Sequence, residues 1–382
     1  MKRILIVNNN LCMGGVQKAL ISLLWNICSD MDVTLLLFYK DGALLEELPP
    51  EIKVETVCSG YRFLGMPRAE AKTLGQKAGR SFYAGLTRLF GRKFAIGLMG
   101  LGQKKHTGYD IAISYLHNGA DKAFYGGCNE FVLKHVQAKK KITFLHCDYT
   151  LCGAQTAQNR AQYKKFDRIA ACSRGCADAF ISANPDLEDK VRVVYNCHRF
   201  KNIREKAEQE PVQLPTGRLN VVTVARLGKE KGVERAVQAI AALGSAREKL
   251  HYYIIGDGVL RPQIEALIEK ENLQEQVTLC GQMLNPYGYI QAADCLLIPS
   301  YSEAAPLVIG EAACLGTPVL STNTSSAEEM LTKTGYGTVC ENSVEGLTAA
   351  LQKLTEEGTV PTAAQQSAND EALAQFYKCL KE

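Results

Sequence analysis

The chain contains 382 residues, of which 46% are hydrophobic and 22% are charged. At roughly 100 to 200 residues per domain, this length predicts two or three domains, each with a core of its own. The composition excludes collagen-like, coiled-coil and wholly disordered chains, so we expect a folded α/β protein. The net charge of +4 is informative only where it concentrates along the chain.

Short β-branched and aliphatic runs alternate with stretches of helical period from one end of the chain to the other. This alternation is typical of βαβ units and parallel sheets. Both halves of the chain therefore favour doubly wound sheets. The predicted strands are 4–8, 33–38, 111–114, 142–146, 169–173 and 191–195 in the first half, and 221–224, 252–255, 277–279, 296–299 and 319–321 in the second.

Residues 199–218 predict a linker, because charges alternate there, two prolines occur and apolar periodicity is weak. We predict an N-terminal Rossmann-like domain over 1–200 and a C-terminal Rossmann-like domain over 217–365. Apolar residues at helical spacing in 370–382 predict a last helix that crosses back onto the N-terminal domain.

The chain starts with a strand pattern rather than an apolar signal core, and no window reaches about 18 uninterrupted apolar residues. We therefore expect a cytoplasmic protein with reduced thiols. The 14 cysteines show no C-x-x-C spacing; the nearest approaches are Cys147 with Cys152 and Cys172 with Cys176. Buried thiols that act as small hydrophobes are favoured over a metal site or a disulfide framework.

Two adjacent glycines, Gly14 and Gly15, lie between the first strand and an apolar helix over 19–27. They allow backbone N–H groups to approach a phosphate closely at the helix N-terminus. The pattern is not G-x-G-x-x-G, so the nicotinamide fingerprint is missing. A purely structural turn is the alternative.

A basic segment spans 62–105, with ten Lys or Arg residues and one acid. Its net charge of +9 leaves −5 for the rest of the chain. Within it, 81–96 mixes aromatic and aliphatic residues with cations at helical spacing, which favours a helix on an anionic membrane, where each cation contributes about 1 kcal/mol. A solvated basic face whose apolar stripe packs on the sheet is the alternative. Nucleic-acid binding is not predicted, because no recognised module accompanies the charge.

A polar cluster that includes His146 and Asp148 ends the strand predicted at 142–146. Ligands bind at the carboxyl ends of strands in open α/β sheets, so His146 is a candidate site residue. A structural histidine with satisfied hydrogen bonds is the alternative. We interpret His198, which follows the last strand of the first half, as hinge packing.

Two cations frame the first turn of the C-terminal domain: Arg226 at the tip of a strand and Lys231 at the start of the helix predicted over 233–243. A planar guanidinium and a mobile ammonium at one sheet edge can hold a diphosphate and offset the charge of a departing nucleoside diphosphate. Surface salt bridges are the alternative for each cation alone. A tight turn at Gly256 follows the next strand at the same edge.

Two carboxylates flank a predicted helix start: Glu303 lies in the preceding loop, and Glu311 lies inside the helix that Pro306 opens. Carboxylates make charge-assisted hydrogen bonds to sugar hydroxyls. The N–H groups of Leu307 and Val308 would point at an anion. A loop acid and a solvated helix acid are the alternative.

These motifs resemble the retaining glycosyltransferases of family 4, within the glycosyl transferases group 1, such as capsular or O-antigen polysaccharide enzymes. The resemblance rests on the Gly-Gly loop, the Arg and Lys-Gly pair, the GDG turn and an E-x(7)-E motif from Glu303 to Glu311, in that order over almost the whole chain. It implies the GT-B fold, with two Rossmann-like doubly wound domains facing across a cleft. The chain departs from it at Ala304-Ala305, where many members have Gly-Phe, which leaves the donor sugar open.

The resemblance also implies roles for individual residues. Arg226 and Lys231 would stabilise the leaving diphosphate, while His146 and Glu303 would contact the donor sugar. Glu311 would hold the ribose. Further donor-binding positions would be Gly14, Gly15, Gly256, Ala305, Pro306, Leu307 and Val308, with Lys18 and Asp148 on the acceptor side.

The implied substrates are a nucleotide-sugar donor, with UDP favoured over GDP, and a glycan or lipid-linked acceptor. The implied reaction retains anomeric configuration and requires no metal or other cofactor, because cations and helix amides replace them. We expect a cytoplasmic enzyme, with peripheral contact to the inner membrane face through 62–105. The alternatives are a sugar-nucleotide epimerase or hydrolase of the same fold and a non-catalytic, glycan-binding scaffold.

Overall fold

The computed structural model describes residues 1–362 and 368–382. The chain divides into two units: Met1–Cys197 together with Asn369–Glu382, and His198–Ala368. We call these the N-terminal and the C-terminal unit. The predicted end of the C-terminal domain at 365 lies outside the described residues.

The N-terminal unit alternates strands and helices. Its elements before the domain boundary are β1 (Arg3–Asn8), α1 (Gly15–Ile27), β2 (Asp32–Leu37), β3 (Lys53–Thr56), α2 (Tyr61–Gly65), α3 (Leu74–Phe90), α4 (Arg92–Met99), β4 (His106–Ser114), α5 (Cys128–His135), β5 (Val136–Leu145), α6 (Ala157–Tyr163), β6 (Arg168–Ala171), α7 (Arg174–Ala183) and β7 (Val191–Val193).

The seven strands of this unit form one parallel sheet in the order β3-β2-β1-β4-β5-β6-β7. In β1 the side chains from Ile4 to Val7 are all fully buried, because helices cover both faces of the sheet. The predicted strands omitted β3. It is a four-residue edge strand with half-exposed or exposed side chains, so it lacks the continuous apolar run that marks a central strand.

The C-terminal unit has the same organisation. Its elements are α8 (Phe200–Gln209), β8 (Leu219–Val224), α9 (Val233–Ala242), β9 (Leu250–Ile255), α10 (Arg261–Lys270), β10 (Val277–Gly281), α11 (Tyr287–Ala292), β11 (Cys295–Ile298), α12 (Leu307–Leu315), β12 (Val319–Thr322), α13 (Ala327–Thr334), β13 (Gly337–Cys340) and α14 (Val344–Glu357).

The six strands of this unit form a parallel sheet in the order β10-β9-β8-β11-β12-β13. The predicted strands omitted β13, another short edge strand without fully buried side chains. The prediction of two doubly wound α/β sheets is confirmed. The prediction of a linker over 199–218 is wrong for its first half, where α8 buries Ile203 and Ala207 against the C-terminal unit.

The chain ends in α15 (Asp370–Lys381), which belongs to the N-terminal unit, as predicted. Ala372, Phe376 and Leu380 lie four residues apart on its buried face and join the core beneath β1 and β2. The Tyr377 hydroxyl donates to Asp30 at 2.7 Å, which fixes the helix at the surface.

The pattern over 81–96 predicts one continuous helix, and this prediction is wrong. Gly91, with φ 82°, separates α3 from α4. Arg92 is also not a surface cation: it is 1% exposed and binds Glu130 and the carbonyl of Gly119. A buried guanidinium needs such partners, so Arg92 is structural. Across the described residues, no helix is both long and apolar enough to cross a bilayer.

Candidate active site

Each sheet has one point at which the chain reverses the direction of strand addition. These points lie between β1 and β4 in the N-terminal unit and between β8 and β11 in the C-terminal unit. The loops at the carboxyl ends of such strands diverge to opposite faces and leave a crevice where ligands bind. Lys231 follows β8, Glu303 follows β11 and Gly14 follows β1, so three predicted site residues lie at these points.

Lys231 and Glu303 contact each other at the crevice of the C-terminal unit. The Lys231 Nζ atom lies 2.7 Å from Oε1 and 2.9 Å from Oε2 of Glu303. The side chains of Lys231 and Glu303 are 25% and 10% exposed, so the pair is largely shielded from solvent, Glu303 more than Lys231. An ammonium has three donors, and a bound anion can accept from the open side.

The turn that carries Lys231 is pressed against the end of β11. Lys229–Lys231 form a 3₁₀ turn that ends at Gly232, with φ 59°. A Cβ atom at Gly232 would lie 2.2 Å from the carbonyl oxygen of Pro299, so only glycine fits there. This close approach brings Lys231 to the loop of Glu303.

Three serines hold Glu303 in place. The Ser300 hydroxyl donates to Oε1 of Glu303 at 2.6 Å. Ser325 and Ser326 donate to its backbone carbonyl at 3.1 and 3.2 Å. Side chain and backbone are therefore both fixed, which is the preorganisation that a binding carboxylate needs.

Arg235 on α9 is a site-supporting residue that the sequence analysis missed. It is 1% exposed and donates from Nε to the carbonyl of Pro299 at 2.6 Å and from Nη2 to the carbonyl of Ser300 at 2.5 Å. Its guanidinium also lies 3.9 Å from the ring centroid of Tyr301. Arg235 thus clamps the residues that lead to Glu303. Its position one turn after Lys231, on a face with apolar neighbours, was the available signal.

Arg226 lies on the same loop as Lys231 but has a different partner. Its guanidinium is 71% exposed and pairs with Glu230, four residues later. The predicted Gly256 turn packs directly beneath: a Cβ atom at Gly256 would lie 1.8 Å from the carbonyl oxygen of Ala225. Gly256 is thus placed beside Arg226, while the convergence of Arg226 and Lys231 on one diphosphate stays a prediction.

Helix α12 begins at Leu307, directly after Pro306. The first helical hydrogen bond runs from the N–H of Ile309 to the Pro306 carbonyl at 3.2 Å. The N–H groups of Leu307 and Val308 therefore precede the helical ladder and are available for an anion. Ala305 precedes this mouth in the same loop.

His198 supports the first turn of α12 from below. Its Nε2 atom lies 3.1 Å from the carbonyl of Leu307, and its ring stacks on Phe200. Burial lowers the pKa of His198, although the carboxylate of Glu311 acts in the opposite direction. His198 packs within the C-terminal unit, which gives the predicted hinge packing a specific partner.

Glu311 lies deeper than Glu303. It is 5% exposed, and its Oε1 accepts from the Tyr287 hydroxyl at 3.3 Å. The alternative of a solvated helix acid is therefore wrong for this residue. A buried carboxylate with one hydroxyl partner keeps lone pairs available for further hydroxyl donors.

The N-terminal crevice has open space above the Gly14-Gly15 turn. Gly14 has an extended φ of 178°, and a Cβ atom at Gly15 would meet nothing within 4 Å. The backbone of the described turn does not itself require glycine. Gly15 instead leaves room at the N-terminus of α1, whose first turn carries the half-buried Lys18, whereas a Cβ atom at Gly14 would lie 2.5 Å from Oε1 of the Gln17 side chain.

His146 lies at the end of β5, packed against aromatic rings. Its ring centroid is 4.7 Å from that of Tyr115 and 5.7 Å from that of Phe144. Burial, together with nearby His117, lowers the pKa of His146 to about 3, so the imidazole is neutral at pH 7. Among the described residues its Nε2 atom has no hydrogen-bond partner.

His117, which follows β4, was also missed by the sequence analysis. It is 7% exposed, burial lowers its pKa to about 4, and its Nδ1 atom has no partner among the described residues. Nothing in the sequence around His117 marks it, because the strand order that places it beside His146 is a property of the sheet.

Asp148 is buried and bound to its own loop. Its Oδ1 atom accepts from the N–H of Thr150 at 3.0 Å and from the Thr150 hydroxyl at 2.5 Å. Asp148 thus fixes the turn after His146, and its acceptor-side role stays a prediction.

Lys231, Glu303 and the start of α12 lie in a segment of the chain that a protein-family model matches. A family model described as glycosyl transferases group 1 matches residues 204–372. The C-terminal unit carries a glycosyl transferases group 1 domain. The predicted glycosyl transferases group 1 domain is confirmed, and it contains every candidate residue from Arg226 to Glu311.

Two of the curated relatives that the chain matches are named as bacterial glycosyltransferases. The chain is 27% identical over 214 residues to N-acetylgalactosamine-N,N'-diacetylbacillosaminyl-diphospho-undecaprenol 4-alpha-N-acetylgalactosaminyltransferase of Campylobacter jejuni, covering 56% of this chain and 57% of that protein. It is 26% identical over 188 residues to the lipopolysaccharide core biosynthesis glycosyltransferase LpsD of Rhizobium meliloti, covering 46% and 53%. The chain spans about half the length of the curated relatives it matches.

Solved structures extend the likeness to both units. The chain matches Anabaena HepE in complex with UDP-glucose with a TM-score of 0.65 and 18% identity, over 100% of this chain and 98% of that chain. Identity this low shows a shared fold alone. The predicted GT-B fold, with one doubly wound sheet in each unit, is confirmed.

Proposed function

We propose that this protein is a retaining glycosyltransferase that moves a sugar from a nucleotide diphosphate to a hydroxyl of a glycan or lipid-linked acceptor. The observation that carries the proposal is the Lys231–Glu303 pair at the strand-reversal point of a glycosyl transferases group 1 domain. A cation and a carboxylate held side by side suit a ligand with both an anionic and a hydroxyl-rich part. A nucleotide sugar is such a ligand.

Lys231 and Arg226 would stabilise the departing nucleoside diphosphate. The sugar–phosphate bond breaks with negative charge accumulating on the leaving oxygen, and fixed donors lower the barrier by stabilising that charge. Lys231 supplies an ammonium on a side chain that is 25% exposed. Arg226 supplies an exposed planar guanidinium on the same loop. The free amides at the start of α12 would add to this field.

The two carboxylates would hold hydroxyl groups at different depths. Glu303, fixed by Ser300 and Lys231, would accept from the donor sugar. Glu311, buried beside Tyr287, would accept from the ribose. A buried carboxylate that meets two hydroxyls rejects an analogue lacking them, because its lone pairs would stay unsatisfied.

The N-terminal unit would supply the remaining contacts. The space above Gly14-Gly15 admits a phosphate or an acceptor hydroxyl near Lys18. His146 is neutral, and its Nε2 atom has no hydrogen-bond partner within the described part of the chain, so it can hydrogen-bond a sugar hydroxyl without adding charge beside the reacting carbon. Asp148, two residues after His146 in the chain, would contact the acceptor.

Two comparisons support the choice of substrates. HepE was solved with UDP and with UDP-glucose, which favours UDP as the nucleotide here. The relative from Campylobacter jejuni is named for a diphospho-undecaprenol acceptor, which favours a lipid-linked acceptor. We propose cell-surface polysaccharide synthesis at the cytoplasmic side of the membrane as the setting.

We also propose that transfer needs no metal ion, because Lys231, Arg226 and the helix amides neutralise the diphosphate. Retention would follow from attack on the face from which the diphosphate leaves.

The direct test combines the purified chain with UDP-, GDP-, ADP- and CMP-sugars and a polyprenyl-diphosphate-linked sugar acceptor. We expect one glycosylated product, with the donor's anomeric configuration in its NMR coupling constants and an unchanged rate with EDTA. Nucleotide release that does not require acceptor would indicate a hydrolase or epimerase and contradict the proposal. An inverted product would contradict retention, and loss of turnover on chelation would contradict metal independence.

A further inference from the structure

Four cysteines gather at the carboxyl ends of β5 and β6, and none has a part in the proposed transfer. Cys147 and Cys152 lie in the loop after β5 with their Sγ atoms 3.0 Å apart. Cys172 and Cys176 lie after β6 with their Sγ atoms 3.8 Å apart. Over the residues that the structure describes, no two cysteines are joined by a disulfide.

The backbone of the first pair already has the geometry of a closed loop. The N–H groups of Leu151 and Cys152 donate to the carbonyl of Asp148 at 3.2 and 3.0 Å, which makes one helical turn. This turn returns Cys152 to the side of Cys147. A disulfide has an S–S distance of about 2.05 Å, so the sulfurs need to approach by only about 1 Å.

The two thiols are unequal. A hydrogen bond from the Cys147 thiol lowers the pKa of Cys152, and the same contact, with burial, raises the pKa of Cys147 well above its usual range. Cys152 is half-buried, and Leu151 before it is 66% exposed, so this end of the loop lies at the protein surface. The thiolate is the form of cysteine that reacts with oxidants.

We propose that Cys152 and Cys147 form a reversible thiol modification site, which a hydroperoxide oxidises to an intramolecular disulfide. The Cys152 thiolate attacks one oxygen of the hydroperoxide, the O–O bond breaks, and an alcohol or water leaves. Cys152 is then a sulfenic acid. The sulfur of Cys147 attacks the sulfur of Cys152, the S–S bond forms, and the hydroxyl group of the sulfenic acid leaves as water with the thiol proton of Cys147. Two electrons pass from the two sulfurs to the peroxide oxygens, and a dithiol reductant reverses the change.

The second pair differs in access. Cys172 and Cys176 are both buried, and the Cys176 thiol donates to the carbonyl of Cys147 at 3.3 Å. This pair supports the loop of the first pair from the interior. The modification site therefore comprises Cys147 and Cys152 only.

The loop that the disulfide would close contains the candidate site residue Asp148 and begins directly after another, His146. His146 precedes Cys147 and Asp148 follows it, so closure would move both relative to the end of β5. This consequence, unlike the disulfide itself, rests on the proposed function. Oxidation is then expected to reduce the rate of sugar transfer, and dithiothreitol to restore it.

The experiment treats the fully reduced chain with hydrogen peroxide, blocks the remaining thiols with N-ethylmaleimide and maps the peptides by mass spectrometry. We expect a linked Cys147–Cys152 peptide that is lighter by two hydrogens, is lost on reduction with dithiothreitol, and is absent from Cys152→Ser and Cys147→Ser. The matched control, Cys58→Ser, removes an exposed thiol elsewhere and should still form the link.

Three results would overturn the proposal: both thiols staying alkylatable after Cys58 has been oxidised, Cys152 reaching sulfinic acid while Cys147 remains a thiol, or Cys152 linked to Cys172 or Cys176. Because the disulfide is detected by mass, these results are distinct from a failure of the proposed transferase function. A disulfide-linked protein that transfers sugar as fast as the dithiol protein would contradict only the expected effect on His146 and Asp148.

Discussion

The ammonium of Lys231 binds both carboxylate oxygens of Glu303, at 2.7 and 2.9 Å, although 72 residues separate them in the chain. The two residues follow β8 and β11, which are neighbours in the sheet. The pair therefore exists because a parallel sheet brings distant strand ends together, and it occupies the place where such sheets bind ligands.

Replacing Lys231 by Ala is expected to reduce kcat/KM for transfer by about 100- to 1,000-fold, since one preorganised contact to developing charge is typically worth about 3 to 4 kcal/mol. Lys229→Ala is the matched control, because it removes the same charge from an exposed position in the same turn. Steady-state kinetics compare the two variants. Equal rates for both would refute the role of Lys231.

Replacing a glycine by alanine is expected to reduce stability at Gly256 but not at Gly15. Gly256→Ala places a Cβ atom 1.8 Å from the Ala225 carbonyl at φ 144°, so thermal unfolding should show a clear loss of stability. The Cβ atom of Gly15→Ala would meet no described atom within 4 Å. The free energy of unfolding of this variant should therefore lie within about 0.5 kcal/mol of that of the parent chain.

If phosphate or acceptor groups approach Gly15, the same Gly15→Ala variant should nevertheless raise KM or lower kcat. Denaturant titration and transfer kinetics on one preparation measure both properties. An unimpaired Gly15→Ala enzyme would show that the space at α1 is not used.

Arg235 acts on the site through backbone carbonyls. Arg235→Met leaves the carbonyls of Pro299 and Ser300 without their buried donors, and each such loss costs about 1 to 3 kcal/mol. Beyond this loss of stability, kcat should fall more than donor affinity does, because Glu303 is no longer held. Arg235→Lys restores the charge but not the planar fork, so partial rescue of stability with low kcat is expected.

The measurement for Arg235 is a comparison of kcat with the dissociation constant of UDP, well below the unfolding temperature of each variant. A parallel loss of both would assign Arg235 to folding alone. A normal kcat in a destabilised protein would exclude the positioning role.

His117 and His146 predict acid sensitivity. His146 and His117 have pKa values lowered to about 3 and about 4, while an unfolded histidine titrates near 6.5. Between these values the unfolded state binds more protons than the folded state, so stability is complete above pH 6.5 and decreases as the pH falls towards the folded pKa values.

Each histidine is expected to cost about 1.4 kcal/mol of unfolding free energy per pH unit below 6.5. Urea titrations at pH 7.0, 6.0 and 5.0 measure the slope, and His117→Asn should make it shallower. Identical slopes for the variant and the parent chain would contradict burial of a neutral His117.

The helices of the basic segment present apolar side chains beside cations. Leu89, Phe90 and Phe94 are 73%, 63% and 54% exposed, next to the exposed Arg88 and Lys93. We propose that this surface contacts an anionic bilayer, since apolar side chains enter the headgroup region while cations bind the lipid charge.

Cosedimentation with phosphatidylglycerol vesicles should exceed that with phosphatidylcholine vesicles and fall in the Phe90→Ser, Phe94→Ser double variant. Val259→Ser, which removes an exposed apolar residue of the C-terminal unit, is the control. Equal and negligible binding to both vesicle types would contradict membrane contact and favour a solvated basic face.

Central strands were predictable, whereas two of the four edge strands were not. The runs that became β1, β8 and β11 are largely buried on both faces, so each is mostly apolar and visible in the sequence. The edge strands β3 and β13 carry no fully buried side chain, and their pairing depends on neighbours distant in sequence. For the same reason Arg92 was expected on a membrane-facing helix, because the acid and carbonyls that bury it lie beyond the basic segment.

The sequence by itself determined the alternation of strand and helix, the two sheets, the last helix and the motif residues at strand ends, because these follow from local patterns of 2.0 and 3.6 residues and from turn chemistry. Only the tertiary structure decided that Lys231 binds Glu303 while Arg226 binds Glu230, that Arg235 holds the site from beneath, and that Cys147 meets Cys152 beside His146. Strand order and side-chain burial determine such contacts, and both depend on pairing between segments far apart in the chain.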